Sequence, residues 1–101
     1  MSIKKQIIKT KPECKVTFIL AKEIAASVKR ANLVGDFNNW DIESIPMKRL
    51  KNGELSASVN LATGKEYQFK YLLDSREWVN EKDADKYVPN AFQGDNSVVV
   101  V

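Results

Sequence analysis

Histidine is absent from the 101 residues, and cysteine occurs once, as Cys14. The commonest general base and the commonest zinc ligand are therefore missing, and a single cysteine cannot close an internal disulfide. No apolar run approaches the ~18 residues of a membrane span, and the N-terminal residues contain no continuous apolar segment of a secretory signal. These absences argue against metal and thiol chemistry. We expect a cytoplasmic protein with no cofactor, no metal site and no contact with membranes.

Charge of one sign is also not in large excess. Sixteen Lys and Arg residues against 13 Asp and Glu give a net charge of +3, spread along the chain apart from a mild basic bias before residue 15. Such a surface keeps a protein soluble but is not typical of one that binds polyanions. The aromatic residues Tyr67, Phe69 and Tyr71 share their parity with Leu73, which favours a place in the core over a stacking platform. We expect no nucleic-acid partner.

The length suits one domain. The first residues are basic and weakly patterned up to Pro12, so we predict an N-terminal arm over residues 1–12 and one domain over residues 13–101. Apolar residues of the arm are available to dock on the domain: Ile3, Ile7 and Ile8.

Alternation of apolar and polar residues predicts several short strands. The clearest alternation runs through residues 55–61 and 66–73, where the inward positions are Leu55, Ala57, Val59, Leu61, Tyr67, Phe69, Tyr71 and Leu73. Helical spacing of Ala21, Ile24, Ala25 and Val28 predicts one short helix near residues 22–29. The final Val98–Val101 run reads as a strand that is buried on both sides or pairs at an edge. With turn signals every ~8 to 12 residues, the pattern predicts an all-β, antiparallel β-sandwich.

Two connecting segments have distinct signatures. Asn52-Gly53 predicts a hairpin with a type I′ turn, since that turn needs a positive φ at both central residues. Residues 80–90 are polar and contain Pro89, which favours an irregular surface excursion.

The densest run of special residues is Leu33–Asp41. Gly35 permits either a positive φ or a close approach of another backbone, and the neighbouring Asp and Asn residues favour a sharply shaped loop. Trp40 at its end is either a core residue or an exposed platform.

Carboxylates near this loop offer two kinds of chemistry. Asp36, Asp41 and Glu43 resemble the paired carboxylates of a glycoside hydrolase, but acidic residues beside Gly and Asn are ordinary turn formers. Asp36, Asn38 and Asp41 offer oxygen ligands for calcium, but Trp40 stands where an alternating loop needs its third ligand. We expect no catalytic residues.

A sugar site needs flat aromatic faces and a few fixed polar groups. Four residues of the chain supply both kinds of group: Trp40, Lys70, Trp78 and Asn96. From spacing alone, each tryptophan is as readily a core residue as an exposed one.

The order of several motifs resembles the glycogen-binding and isoamylase early-set domains, which form family 48 of the carbohydrate-binding modules. The motifs are Gly35-Asp36-Phe37-Asn38-Asn39-Trp40, Pro46-Met47, Asn52-Gly53, Tyr67-Gln68-Phe69-Lys70-Tyr71, Asp74, Trp78 and Asn96-Ser97-Val98-Val99. The family includes modules of the AMP-activated protein kinase beta subunit and of branching enzymes.

The resemblance implies an immunoglobulin-like early-set fold and non-catalytic binding of an α-1,4-linked glucan such as glycogen or starch. It implies that Trp40 and Trp78 stack on the sugar and that Lys70 and Asn96 are polar contacts. Because most such modules are joined to glycoside hydrolases, branching enzymes or other proteins, it also implies a glucan-metabolising enzyme or another protein as a partner.

Three positions depart from the family pattern. Ser75 replaces the usual glycine after Asp74, which would open the turn and move Trp78. Gln93 replaces an apolar residue that some members insert through the sugar ring, and Asp95 stands where threonine is frequent. All three substitutions act against binding, so the competing interpretation is an early-set interaction or scaffold domain that has lost sugar binding. Such a domain would pair with another chain through the Val98–Val101 edge or the arm.

Overall fold

The computed structural model describes residues 3–91 and 94–101. Within them the chain forms nine strands, one short helix and one 3₁₀ turn. In chain order these are β1 Ile3–Ile8, β2 Glu13–Leu20, α1 Lys22–Ala25, β3 Ala31–Gly35, the 3₁₀ turn Asp36–Asn38, β4 Lys48–Arg49, β5 Leu55–Ala62, β6 Glu66–Leu73, β7 Glu77–Val79, β8 Lys86–Pro89 and β9 Asp95–Val100.

The strands form two antiparallel sheets. The first sheet has the order β1-β2-β5-β4, and the second has the order β3-β6-β9-β8, with β7 also paired to β6. The sheets pack as a sandwich, as alternation along the sequence predicts. The immunoglobulin-like fold class is therefore confirmed.

Aromatic rings fill the centre of the sandwich. Phe18 of β2 meets Phe69 of β6 edge to face with ring centroids 4.9 Å apart, and Phe69 in turn meets Tyr71 at 5.8 Å. All three side chains are fully buried. The predicted inward face of β6 is correct, and these rings are unavailable for stacking on nucleic-acid bases.

The helix is shorter than the helical spacing suggests. It begins at Lys22 and ends at Ala25, and Ala25 is its only buried residue. The Ser27 hydroxyl donates a hydrogen bond of 2.9 Å to the Ile24 carbonyl. The carbonyl at the end of the helix is thus bonded by a side chain, without a further turn of helix.

The segment predicted as an arm contains a strand of the first sheet. β1 pairs with β2 from Ile3 opposite Phe18 to Ile8 opposite Glu13. Ile3 is buried in the core, whereas Ile7 is 76% exposed. The proposed boundary after residue 12 stays a prediction.

Two predictions about connections are wrong. The hairpin at Asn52-Gly53 exists, but only Gly53 has a positive φ, at 95°, so its turn is not type I′. The Gly53 amide bonds to the Leu50 carbonyl and the Leu50 amide to the Glu54 carbonyl, which is the three-residue loop with glycine at the left-handed position. The segment expected to be irregular contains β8, in which Pro89 is tolerated because β8 is an edge strand.

The final valines do not form a free edge. β9 pairs with β6 on one side and β8 on the other, and both Val98 and Val99 are buried. The interpretation of Val98–Val101 as an edge for another chain is therefore wrong. No helix in the described part of the chain is long and apolar enough to cross a membrane.

Candidate functional site

The loop after β3 is held against β6 by an unusually close backbone approach. A Cβ atom on Gly35 would lie 2.5 Å from the Gln68 carbonyl oxygen and 2.8 Å from the Phe69 Cβ. Its φ of −173° is extended, so space and not conformation requires glycine here. The close contact brings the start of the loop directly onto the strand that contains Lys70.

Asp36 connects this loop to the sheet and to Trp40. One carboxylate oxygen accepts a 2.9 Å hydrogen bond from the Trp40 indole Nε1, and the other accepts a 2.8 Å bond from the backbone amide of Gln68. The indole is therefore fixed relative to β6.

Asn38 organises the interior of the same loop. Its side-chain oxygen accepts a bond from the Gly35 amide at 3.0 Å, while its amide nitrogen lies 3.1 Å from the Asp41 carbonyl and 2.9 Å from the Ser44 hydroxyl. The Trp40 amide closes the loop by donating to the Gly35 carbonyl at 2.9 Å. Asx chemistry thus shapes the turn, as the composition of the motif indicates.

The second tryptophan follows the turn between β6 and β7. Trp78 pairs opposite Leu72 and so shares a face of the sheet with Leu72 and, two residues earlier, Lys70. The turn is closed by the Arg76 amide, which donates to the Leu73 carbonyl at 3.0 Å. Opening of this turn, expected from Ser75, does not occur.

Asp74 anchors that turn to the segment before β3. Its carboxylate accepts hydrogen bonds from the backbone amides of Arg30 and Lys29, which lower the pKa of this carboxyl. The Asp74 amide donates to the Arg30 carbonyl at 3.0 Å, and the Arg30 guanidinium donates to the Ser75 hydroxyl at 3.2 Å. These bonds hold the turn against the segment before β3 with Ser75 in place of a glycine.

Backbone strain is concentrated in these two turns. Among the described residues, non-glycine residues with positive φ occur only at Asn39, Trp40, Asp74 and Ser75, with values of 50° to 62°. Such conformations persist where the surrounding contacts enforce them, and they cluster at functional sites. Both turns end in a tryptophan or lead directly to one.

Polar side chains of β6 and β9 lie between the two turns. The Lys70 ammonium donates to the Asp95 carbonyl at 3.0 Å, a contact that any residue at position 95 would supply. Asn96 donates from Nδ2 to the Gln68 side-chain oxygen at 3.0 Å and accepts from the Asn90 side chain at 3.1 Å.

Together these groups line one open groove of about 820 Å³. Its lining residues are Trp40, Gln68, Lys70, Trp78, Asn90, Ala91, Gly94 and Asn96. Trp78 is 45% exposed and Trp40 is half-buried. All four residues singled out from the sequence meet here, with aromatic faces beside fixed amide and ammonium groups. Gln93 lies outside the described residues.

The sequence interpretation missed Gln68 and Asn90. Gln68 had a usable signal, because it shares the face of β6 with Lys70 by parity. No sequence signal indicated Asn90, because its position depends on the pairing of β8 with β9, which was not predicted.

A buried polar network lies behind the groove. Tyr71 donates to the Glu81 carboxylate at 2.8 Å, and burial, the Glu81 charge and this hydrogen bond raise the pKa of the phenol well above its usual value. The Tyr87 hydroxyl donates to the Glu81 carbonyl. The Glu81 amide donates to Ser97, whose hydroxyl donates to Asn80 at 2.9 Å.

Asn80 extends this network to the groove. Its side chain donates to the Asp95 carbonyl at 2.9 Å, the same oxygen that receives Lys70. The core is thus linked by hydrogen bonds to the carbonyl that positions Lys70.

Two of the three carboxylates considered for catalysis, those of Asp36 and Asp41, form hydrogen bonds that build the loop. Asp36 is occupied by Trp40 and Gln68, and Asp41 accepts a 2.9 Å bond from the Glu43 amide. Within residues 3–91 and 94–101, no three His, Cys, Asp or Glu side chains come together in a group that could hold a metal ion.

Residues 11–91 match the family model of Carbohydrate-binding module 48 (Isoamylase N-terminal domain). The chain belongs to this family. Membership in carbohydrate-binding module 48 supports carbohydrate binding as the general function and agrees with the sandwich fold. A search of the curated proteins finds no match. The family match spans β2 to β8 and thus includes Trp40, Lys70 and Trp78, while Asn96 lies beyond it.

Proposed function

We propose that this carbohydrate-binding module 48 domain binds an α-1,4-linked glucan, without catalysis, in the groove between the two turns. Trp40 and Trp78 stack on pyranose faces, while Lys70 and Asn96 hydrogen-bond sugar hydroxyls. The observation that supports this most directly is that these four side chains line one open groove.

The physical chemistry of the groove suits a sugar. Pyranose rings present apolar C–H faces that pack on indole surfaces, and their hydroxyls need donors and acceptors held in place. Trp40 is fixed by Asp36, and Asn96 by Gln68 and Asn90, so little ordering is needed on binding. Because the ligand is neutral, its affinity should change little with salt.

Maltoheptaose titrated against intrinsic tryptophan fluorescence tests the proposal. The chain contains two tryptophans, and both line the groove, so the signal reports on this site alone. We expect a saturable change at millimolar sugar or below. Trp40→Ala and Trp78→Ala, followed by calorimetry, should each weaken binding by roughly tenfold or more, because each removes a stacking face worth about 1–3 kcal/mol on the scale of base–aromatic stacking.

Ile42→Ala is the matched control, because Ile42 is an apolar side chain that is 46% exposed near Trp40 and does not line the groove. It should bind like the parent chain. Cellohexaose, a β-1,4-linked glucan, tests the linkage. An unchanged fluorescence signal at millimolar maltoheptaose, or equal affinity for cellohexaose, would contradict the proposed ligand.

A further inference from the structure

Three side-chain amides form a chain of hydrogen bonds along the floor of the groove. Asn90 donates from Nδ2 to Asn96 Oδ1 at 3.1 Å, and Asn96 donates from Nδ2 to Gln68 Oε1 at 3.0 Å. Asn90 and Asn96 thus each donate a hydrogen bond to the next side-chain carbonyl, and the chain has one direction, from the residue after β8 through β9 to β6.

The direction of these hydrogen bonds determines which atom of the Gln68 side-chain amide is left for a ligand. Because the Gln68 side-chain oxygen faces Asn96, its Nε2 lies on the other branch of the same amide carbon. Within the described part of the chain, no group accepts a hydrogen bond from Gln68 Nε2. Gln68 is half-buried and lines the groove beside Lys70. Because no protein group among the described residues occupies Gln68 Nε2, a ligand oxygen can accept a hydrogen bond from it without breaking one inside the protein.

We infer that Gln68 is a direct contact to the carbohydrate, donating from Nε2 to a sugar oxygen. This inference rests on the proposed function. Gln68 adds a neutral donor beside the Lys70 ammonium, so two positions on the same face of β6 offer donors to acceptors on the sugar.

Two substitutions distinguish this contact from a purely positioning role. Gln68→Glu keeps an oxygen that accepts from Asn96 but has no Nε2 donor, whereas Gln68→Met lacks both groups. If Gln68 donates to the sugar, both variants should weaken maltoheptaose binding about fivefold, the effect of losing one neutral hydrogen bond. If Gln68 only positions Asn96, Gln68→Glu should bind as the parent does and only Gln68→Met should be weaker.

The new charge needs its own controls. Gln6→Glu makes the same change on the exposed face of β1, far along the chain from the groove, and should leave binding unchanged. A Lys70→Met background removes any attraction between the new carboxylate and Lys70. The loss caused by Gln68→Glu should persist there, and its disappearance would overturn the inference.

Side-chain amide resonances in NMR spectra give a readout that does not depend on affinity. In the free protein, the Asn96 and Asn90 amide protons should exchange slowly and those of Gln68 quickly, and the Gln68 protons should shift on addition of maltoheptaose. Protected Gln68 protons in the free protein would show the opposite direction of the chain and overturn the inference. Absence of any binding by the folded parent would instead refute the proposed function, and the Gln68 contact with it.

Discussion

Ser75 occupies a backbone conformation that glycine would adopt at lower cost. Its φ is 62°, in the left-handed region, where a side chain costs of the order of 1 kcal/mol. Ser75→Gly should therefore raise the free energy of unfolding by about 1 kcal/mol, less the weak hydrogen bond from Arg30. Urea denaturation followed by tryptophan fluorescence measures this change.

Ser75→Ala separates the two contributions. It removes the hydroxyl that accepts from Arg30 but keeps a Cβ atom at the strained position, so it should be slightly destabilising. Equal stability of the alanine and glycine variants would show that strain at this position is negligible. Because the turn is already closed, neither substitution should alter maltoheptaose binding.

At the residue scale, the sequence was informative about side-chain chemistry and less so about partners. Trp40, Lys70, Trp78 and Asn96 are recognisable as a set because sugar recognition needs aromatic faces and polar groups, and because their order resembles the pattern of the family. The role of Asp36 in fixing Trp40 relative to β6 cannot be predicted from the sequence. Its hydrogen bond to the backbone amide of Gln68 depends on the register between β3 and β6.

The end of β3 is the element on which the first tryptophan loop depends. Gly35→Ala would place a Cβ 2.5 Å from a backbone carbonyl of β6, and a backbone atom in a paired strand cannot move aside as a flexible side chain can. We expect a loss of about 2 kcal/mol or more in the free energy of unfolding. Denaturation measures the loss, and maltoheptaose titration should show weaker binding because the loop with Trp40 is displaced.

Gly64→Ala is the matched control for this prediction. Gly64 has a φ of 78° with nothing within 4 Å of a Cβ, so alanine there meets conformational strain but no clash. It should lose about 1 kcal/mol and bind sugar normally. A Gly35→Ala protein as stable as Gly64→Ala would contradict the close-approach explanation.

At the element scale, alternation predicts the strands that have one buried face. β5 and β6 follow it because each has one face against the other sheet. Alternation does not predict β1 and β8, because each is an edge strand with mainly exposed side chains. These strands are defined by their backbone hydrogen bonds and not by a buried face. The Asn52-Gly53 turn shows that a motif can locate a hairpin without fixing its loop length.

The two sheets are tied together at one side by an ion pair distant in sequence. Lys5 of β1 lies 2.7 Å from the Asp85 carboxylate, which also accepts a 2.7 Å bond from the Val100 amide of β9. Thus β1 of the first sheet is joined to the second sheet at its β9 strand. Partial burial opposes ionisation of Asp85, but the Lys5 and Val100 contacts outweigh it and lower the pKa of this carboxyl.

The lowered pKa of Asp85 makes a contribution to stability that depends on pH. The contribution of a carboxylate whose folded pKa is depressed is present above its unfolded value, near 3.8, and is lost as the pH falls through the folded pKa. Asp74 has the same sign of shift. We therefore expect stability to fall below about pH 4, measured as the urea midpoint against pH.

Asp85→Asn and Lys5→Gln test how much this ion pair contributes to the free energy of unfolding. Each should lower the free energy of unfolding at pH 7 by about 1 kcal/mol or less, because both side chains are about one-third exposed. The double variant should lose less free energy of unfolding than the sum of the two single variants, because either substitution alone already removes the ion pair. Asp85→Asn should also reduce the fall in stability between pH 5 and pH 3, while Glu77→Gln, which neutralises an exposed carboxylate of β7, serves as the charge-matched comparison. Full additivity of the two single substitutions would show that the ion pair does not couple the two sheets.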